Sequence, residues 1–155
     1  MIIRMPSPSS PVKLTATPAI LAWRLLALIY DAVIGMALLM LTSGLLLLLN
    51  RGQAIAPGSL AGYFEFLVFW LVLGIYAVSS WRFGGQTLGM RPWRLYVVDE
   101  QGHNASWKQL SLRYVLASLS GGLALLWSLV DPEKRGLHDL ASKTCLVRVN
   151  SPKSA

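Results

Sequence analysis

From Ala32 to Leu49 the chain carries no charged residue. A helix crossing the roughly 30 Å hydrocarbon core of a bilayer needs about 20 apolar residues, and this stretch reads as such a span. Yet its entry, Trp23-Arg24-Leu25-Leu26-Ala27-Leu28-Ile29-Tyr30-Asp31, holds two charges. On a helix Arg24 and Asp31 lie about two turns apart, on one face and roughly 10 Å from each other along the axis. Arg24 can extend its guanidinium to the headgroups. Asp31 sits deeper, where a bare carboxylate costs a few kcal/mol. It is therefore expected to face protein, water or a cation rather than lipid.

Composition agrees with a membrane protein of one domain. Of 155 residues, 54% are apolar and only 14% charged, against about a quarter charged in soluble domains. The apolar residues also come in blocks. The net charge is +7, with the basic residues mostly between and after those blocks, where they suit anionic lipid headgroups. No compact basic stripe with interleaved aromatics stands elsewhere, so nucleic acid is not an expected partner. The single cysteine, Cys145, excludes an intrachain disulfide and a multi-cysteine metal site. With two scattered histidines, no metal site and no cofactor are expected. Ala54-Ile55-Ala56 resembles a leader cleavage site, but the preceding run is too long and is interrupted by charge, so a retained helix is expected.

Taken in order, residues 1–17 are proline-rich and read as a disordered lead-in, with Pro18 setting the helix start. A first helix is expected from about Ala19 to Leu49, with Gly35 and Gly44 allowing another helix to approach, in this chain or a second copy. A loop covers 50–62. A second helix is expected from about Tyr63 to Trp81, with Tyr63, Tyr76 and Trp81 in an aromatic belt and Glu65 in its first turn. The turn Gly84-Gly85-Gln86-Thr87-Leu88-Gly89 spaces its glycines as a phosphate-binding loop does. However, Met90-Arg91 stands where Lys-Ser/Thr is required, so it is not read as one. A short strand is expected over Trp93–Val98, closed by a turn at Asp99–Gly102. Arg91, Trp93 and Arg94 would rest this segment on the membrane surface.

Ser106 and Gln109 form a capping box ahead of a third apolar run, Leu110–Val130, which carries Arg113 near its start. Asp131-Pro132 opens a short amphipathic helix through Ala141, and Thr144–Val149 reads as a closing strand before the polar tail 150–155. Three full crossings would put the basic 82–109 loop and the basic C-terminus on opposite sides, against the positive-inside preference. A re-entrant third segment, broken at Ser120-Gly121-Gly122, would resolve this. A continuous crossing is the simpler structure and is the expectation. The fold class is thus an all-α membrane protein of three apolar transmembrane helical segments, the third spanning or re-entrant, with a surface loop bearing a short strand and a C-terminal amphipathic helix.

Several of these residues together resemble the RDD family, small bacterial membrane proteins named for one arginine and two aspartates. They are Arg24 and Asp31, the Gly-Gln-Thr-Leu-Gly turn, Trp-Arg-Leu-Tyr-Val-Val-Asp, and the terminal Gly-Leu-His-Asp-Leu-Ala-Ser-Lys-Thr. The likeness covers residues 18–149. It implies a multi-pass protein of the bacterial inner membrane associated with transport, with Arg24 as the arginine and Asp31 and Asp139 as the aspartates. One departure is Met90, followed by Arg91, where a lysine often follows the turn.

Two functions follow for Arg24, Asp31 and Asp139. In the first the protein moves ions or small solutes, with Asp31 as the contact and Arg24 and Asp139 tuning it. Three short helices enclose no pathway alone, so this reading needs a homo-oligomer or a membrane-protein partner. In the second the protein is a scaffold or accessory subunit. Arg24 then pairs with Asp139 in bidentate fashion, Asp31 accepts hydrogen bonds from Ser118, Ser120 or the Gly121-Gly122 backbone, and the network only holds the fold. An enzyme is not expected. No nucleophile elbow is visible, and the adjacent His138 and Asp139 should not share a helix face.

Overall fold

The computed structural model describes residues 2–3, 14–120, 127, 131 and 135–149. Two long helices dominate it. Helix α1 spans Leu21–Leu49 and α2 spans Leu60–Gly84. At 1.5 Å per residue they run about 43 and 37 Å, each more than a bilayer core. Both are long and apolar enough to cross a membrane, and large side chains such as Leu41, Leu48, Phe66 and Ile75 are left exposed along them. α2 starts earlier than Tyr63 because Ser59 caps it, its Oγ accepting the Gly62 N–H. Glu65 consequently lies beyond the first turn. At the other end Gly85 takes a left-handed conformation (φ +69°) and its N–H closes on the Trp81 carbonyl.

The two helices form an antiparallel hairpin, and Gly35 packs inside it. A Cβ there would meet Leu73 Cδ2 at 3.4 Å, whereas Gly44 has nothing within 4 Å. Helix α3, Trp107–Leu119, leans on α2 through Gly74 and Tyr114. The expected Ser106–Gln109 capping box starts it. The Tyr114 hydroxyl donates to the Trp70 carbonyl (2.7 Å), and the Trp70 indole donates to Ser118 Oγ (3.0 Å). A Cβ on Gly74 would come within 2.7 Å of the Tyr114 ring. Gly74→Ala is therefore expected to destabilise the protein by about 1–3 kcal/mol, read as a lowered thermal midpoint in detergent.

A four-stranded antiparallel sheet sits at the end of the hairpin where α1 begins and α2 ends. It comprises β1 (Ile2–Ile3), β2 (Leu14–Pro18), β3 (Leu95–Asp99) and β4 (Thr144–Val149), in the order β1-β2-β4-β3. The fold is mostly helical but not all-α as expected. The reason is non-local: β3 and the closing strand hydrogen-bond along their whole length, Leu95 opposite Arg148 and Asp99 opposite Thr144. Leu14–Pro18, expected as part of a disordered lead-in, pairs with the other edge of β4. Leu95, Val97 and Leu146 turn one sheet face toward Ala19, Ala27, Met90 and Leu110, forming the main core. Before β3, Arg91–Trp93 make one 3-10 turn and Arg94 adopts φ +54°, so the strand begins two residues later than expected.

This pairing bears on the third apolar run. β3 precedes the third apolar run and β4 follows it, yet they are neighbours in one sheet. The described residues hold two helices long and apolar enough to cross a membrane, and most of the Leu110–Val130 run beyond Ser120 lies outside them. α3 itself has 13 residues, about 20 Å, too short to span. The expected break at Ser120-Gly121-Gly122 lies mostly outside the described residues, as does Pro132. The amphipathic helix expected from Asp131 is shorter than anticipated: α4 covers Leu137–Ala141 only. Asp131 instead accepts the Arg135 N–H (2.9 Å).

Candidate functional site

Two carboxylates organise the end of the hairpin. The first is Asp139, fully buried in α4. Its Oδ2 accepts from Arg24 Nη1 of α1 (2.5 Å) and from the Gly136 N–H (2.9 Å). Its Oδ1 accepts from Arg113 Nη1 of α3 and lies 3.2 Å from His138 Nε2. Arg113 Nη1 also donates to Thr144 Oγ1 of β4 (2.9 Å), and Arg24 Nε to the Ala19 carbonyl (3.1 Å). One carboxylate thus joins α1, α3, α4 and the central strand. Burial alone would raise its pKa. The Arg113 guanidinium, the hydrogen bond from His138 and the charge of Arg24 override that, holding the carboxyl well below its usual range.

Three expectations change here. Arg24 is 3% exposed, so its guanidinium faces inward rather than reaching for headgroups. It does not form a bidentate fork with Asp139, because Arg113 occupies the second oxygen. His138 and Asp139 do meet, although adjacent on a helix. The Asp139 carboxylate folds back to cap α4, and the imidazole reaches over to it. His138 Nε2 thus shares Asp139 Oδ1 with Arg113.

The second carboxylate is Asp31, half-buried one face-repeat below Arg24. Its Oδ1 accepts from the Tyr76 hydroxyl (3.0 Å) and the Gly89 N–H (3.0 Å), and its Oδ2 from Thr87 Oγ1 (2.5 Å). The partners expected from the sequence, Ser118 and Ser120, donate instead to the carbonyls of Val115 and Ala117. Asp31 therefore fastens the Gln86–Gly89 turn onto α1. Gly89 makes this possible. A Cβ there would lie 2.5 Å from the Ala27 carbonyl oxygen and 2.7 Å from the Asp31 nitrogen. Tyr76 and Trp81, expected in an aromatic belt, both turn inward: Tyr76 to Asp31, and Trp81 under Arg113, whose guanidinium carbon sits 5.3 Å from the ring centroid.

The two carboxylate clusters border a cavity of about 630 Å³ between α1, α2 and α3. Arg24, Arg113 and His138 line its polar end, Asp31 and Tyr76 one wall, and Leu28, Met36, Leu39 and Leu73 much of the rest. Among the described residues no group of three His, Cys, Asp or Glu side chains is placed to hold a metal ion.

A family model described as the RDD family matches residues 18–143. The chain belongs to the RDD family. The matched span holds both carboxylate clusters, from Arg24 through Asp31 and Arg113 to Asp139. No curated protein and no solved structure matches the chain. Arg24, Asp31 and Asp139 are thus brought to one end of the helix hairpin, but they form two separate clusters rather than one triad. Sequence reading missed Arg113 as a member of the first. A signal was present: a charge inside an apolar run needs a partner as much as Asp31 does. For Tyr76, Thr87 and Gly89 no such signal existed, since aromatic, hydroxyl and glycine residues are common at membrane boundaries.

Proposed function

We propose that this RDD protein is a membrane scaffold or accessory subunit in which Arg24, Asp31 and Asp139 are structural, and not an enzyme. The observation that carries this is that every carboxylate oxygen of the two clusters is already bonded to the protein. Asp139 has two partners on each oxygen, and Asp31 uses three of its acceptor positions to hold Tyr76, Thr87 and Gly89. In this reading α1 and α2 cross the bacterial inner membrane, and the third apolar segment is re-entrant. Arg82, Arg91, Arg94, Lys108, Arg135 and Arg148 lie in or beside the sheet end, against Arg51 alone in the 50–59 loop. The positive-inside preference then puts the sheet in the cytoplasm. There the exposed Arg91 and Arg94 meet anionic headgroups, and the uncovered face of α1 around Gly44 is left for lipid, a second copy or a partner helix.

Transport is the second reading, favoured by Asp31 lining the cavity. One experiment separates them. Wild type and Asp31→Asn are reconstituted at equal folded protein, and proton flux is followed under Na⁺, K⁺ and Li⁺ gradients. The structural reading expects no Asp31-dependent flux. It also expects a stability loss of about 1–2 kcal/mol in Asp31→Asn, from the weakened charge-assisted hydrogen bonds. Flux in wild type that vanishes in a well-folded Asp31→Asn would establish transport instead.

A further inference from the structure

The cavity between α1, α2 and α3 has chemistry that the carboxylate clusters leave unused. Arg113 is 4% exposed and lines it. Both of its hydrogen bonds to described residues leave from Nη1, to Asp139 and Thr144. Its Nε and Nη2 donate to no described residue. His138, 5% exposed and also lining the cavity, has a buried Nδ1 with no hydrogen-bond partner among the described residues. A buried polar group without a partner costs about 1–3 kcal/mol, so His138 Nδ1 marks this end of the cavity as one where hydrogen-bonding capacity is unused. Arg113 also shares its carboxylate partner, Asp139, with Arg24. Below this polar end the walls are apolar. They follow α1 from Arg24 to Leu39, about 22 Å of helix, which exceeds the roughly 15 Å hydrocarbon depth of one leaflet.

We propose that this cavity binds one acyl chain of an anionic membrane phospholipid, with headgroup phosphate oxygens on the free N–H groups of Arg113. A planar guanidinium matches phosphate oxygens well. The chain would lie past Leu28, Met36, Leu39 and Leu73, entering sideways from the bilayer between the helices. Asp31 does not oppose this. It lies about two turns of α1 below Arg24, its oxygens turned to Tyr76, Thr87 and Gly89, and its negative charge keeps a second anion from sliding deeper. The site is distinct from headgroup contact at the exposed Arg91 and Arg94, and it holds whether or not the protein transports anything.

The test is native mass spectrometry of the full-length protein exchanged into mixtures of phosphatidylglycerol and phosphatidylcholine with identical chains. Wild type should retain one lipid and prefer phosphatidylglycerol by about tenfold. Ala117→Phe, which fills the cavity away from both clusters, should lose that preference at unchanged helix content. Met36→Trp, at an exposed position on the cavity rim, serves the same purpose should Ala117→Phe not fold. Arg91→Gln/Arg94→Gln should keep the preference. Equal retention of the two lipids, or a preference removed by the Arg91/Arg94 variant but not by the cavity variants, would overturn the proposal.

Discussion

Asp139→Asn is expected to cost about 3–5 kcal/mol, the range for removing one partner of a buried ion pair. It would leave Arg24 and Arg113 buried against a neutral amide. Against a typical total of about 5–15 kcal/mol, that is enough to depopulate the folded protein. Thermal unfolding in detergent should show it, and folded yield should fall with it. Replacing Arg24, Arg113 and Asp139 together by methionine is expected to cost much less than Asp139→Asn alone, because no uncompensated charge remains. The same site fixes an acid limit. The folded-state pKa of Asp139 is depressed, so between the folded and unfolded values the unfolded chain binds more protons and stability rises with pH. The contribution is complete above an unfolded value near 4. It is lost as pH falls through the lower folded value. Wild type should therefore lose stability below about pH 4, and Asp139→Asn should lack that phase.

Gly89→Ala is the other change with a large expected effect. The added methyl would collide with the Ala27 carbonyl oxygen at 2.5 Å, Asp31 Cγ at 2.6 Å and the Asp31 nitrogen at 2.7 Å. Two of these atoms belong to the backbone of α1 and cannot step aside. The turn must lift, breaking the hydrogen bonds of Thr87 and Gly89 to Asp31. A loss of about 3 kcal/mol is expected, overpacking plus broken hydrogen bonds to a carboxylate. Gly84→Ala is the internal control. A Cβ there meets nothing within 4 Å, and alanine suits the last turn of α2 at least as well as glycine. Thermal midpoints of the pair, with protease sensitivity of the 84–90 turn, give the comparison. Equal midpoints would mean that the turn is not held on α1 as described.

Local signals carried much of this structure. The charge-free run gave α1, Ser106 and Gln109 gave the start of α3, and Thr144–Val149 showed its β-branched strand character. The pairing of Arg24 with Asp139 was named in the scaffold reading, but with Arg24 near the headgroups and bidentate; the structure buries Arg24 and gives the second oxygen to Arg113. The sheet was not legible as a sheet, since it joins β2, β3 and β4 across more than a hundred residues, and pairing at that distance leaves no periodic trace. The third segment was left between spanning and re-entrant for the same reason. Hydropathy reports that a stretch is apolar enough to cross, and only the pairing of β3 with β4 reports that the strands before and after it are neighbours. Asp31 was correctly given protein partners but the wrong ones, because proximity in space to Tyr76, Thr87 and Gly89 depends on how a glycine turn seats on a helix.

β4 lies between β2 and β3, and it is the last of the four strands to be made. Neither β2 nor β3 pairs with the other, so the order of synthesis delays the main sheet until Thr144–Val149 has emerged. By then α1 and α2 are already available to the membrane, and Arg24 and Arg113 have been waiting for the aspartate that α4 brings. In chain order the C-terminal segment comes last and fastens the sheet end, like a clasp. A nascent chain stopped before residue 137 would contain both long helices, joined at this end through Asp31 but lacking Asp139 and the strand that completes the main sheet.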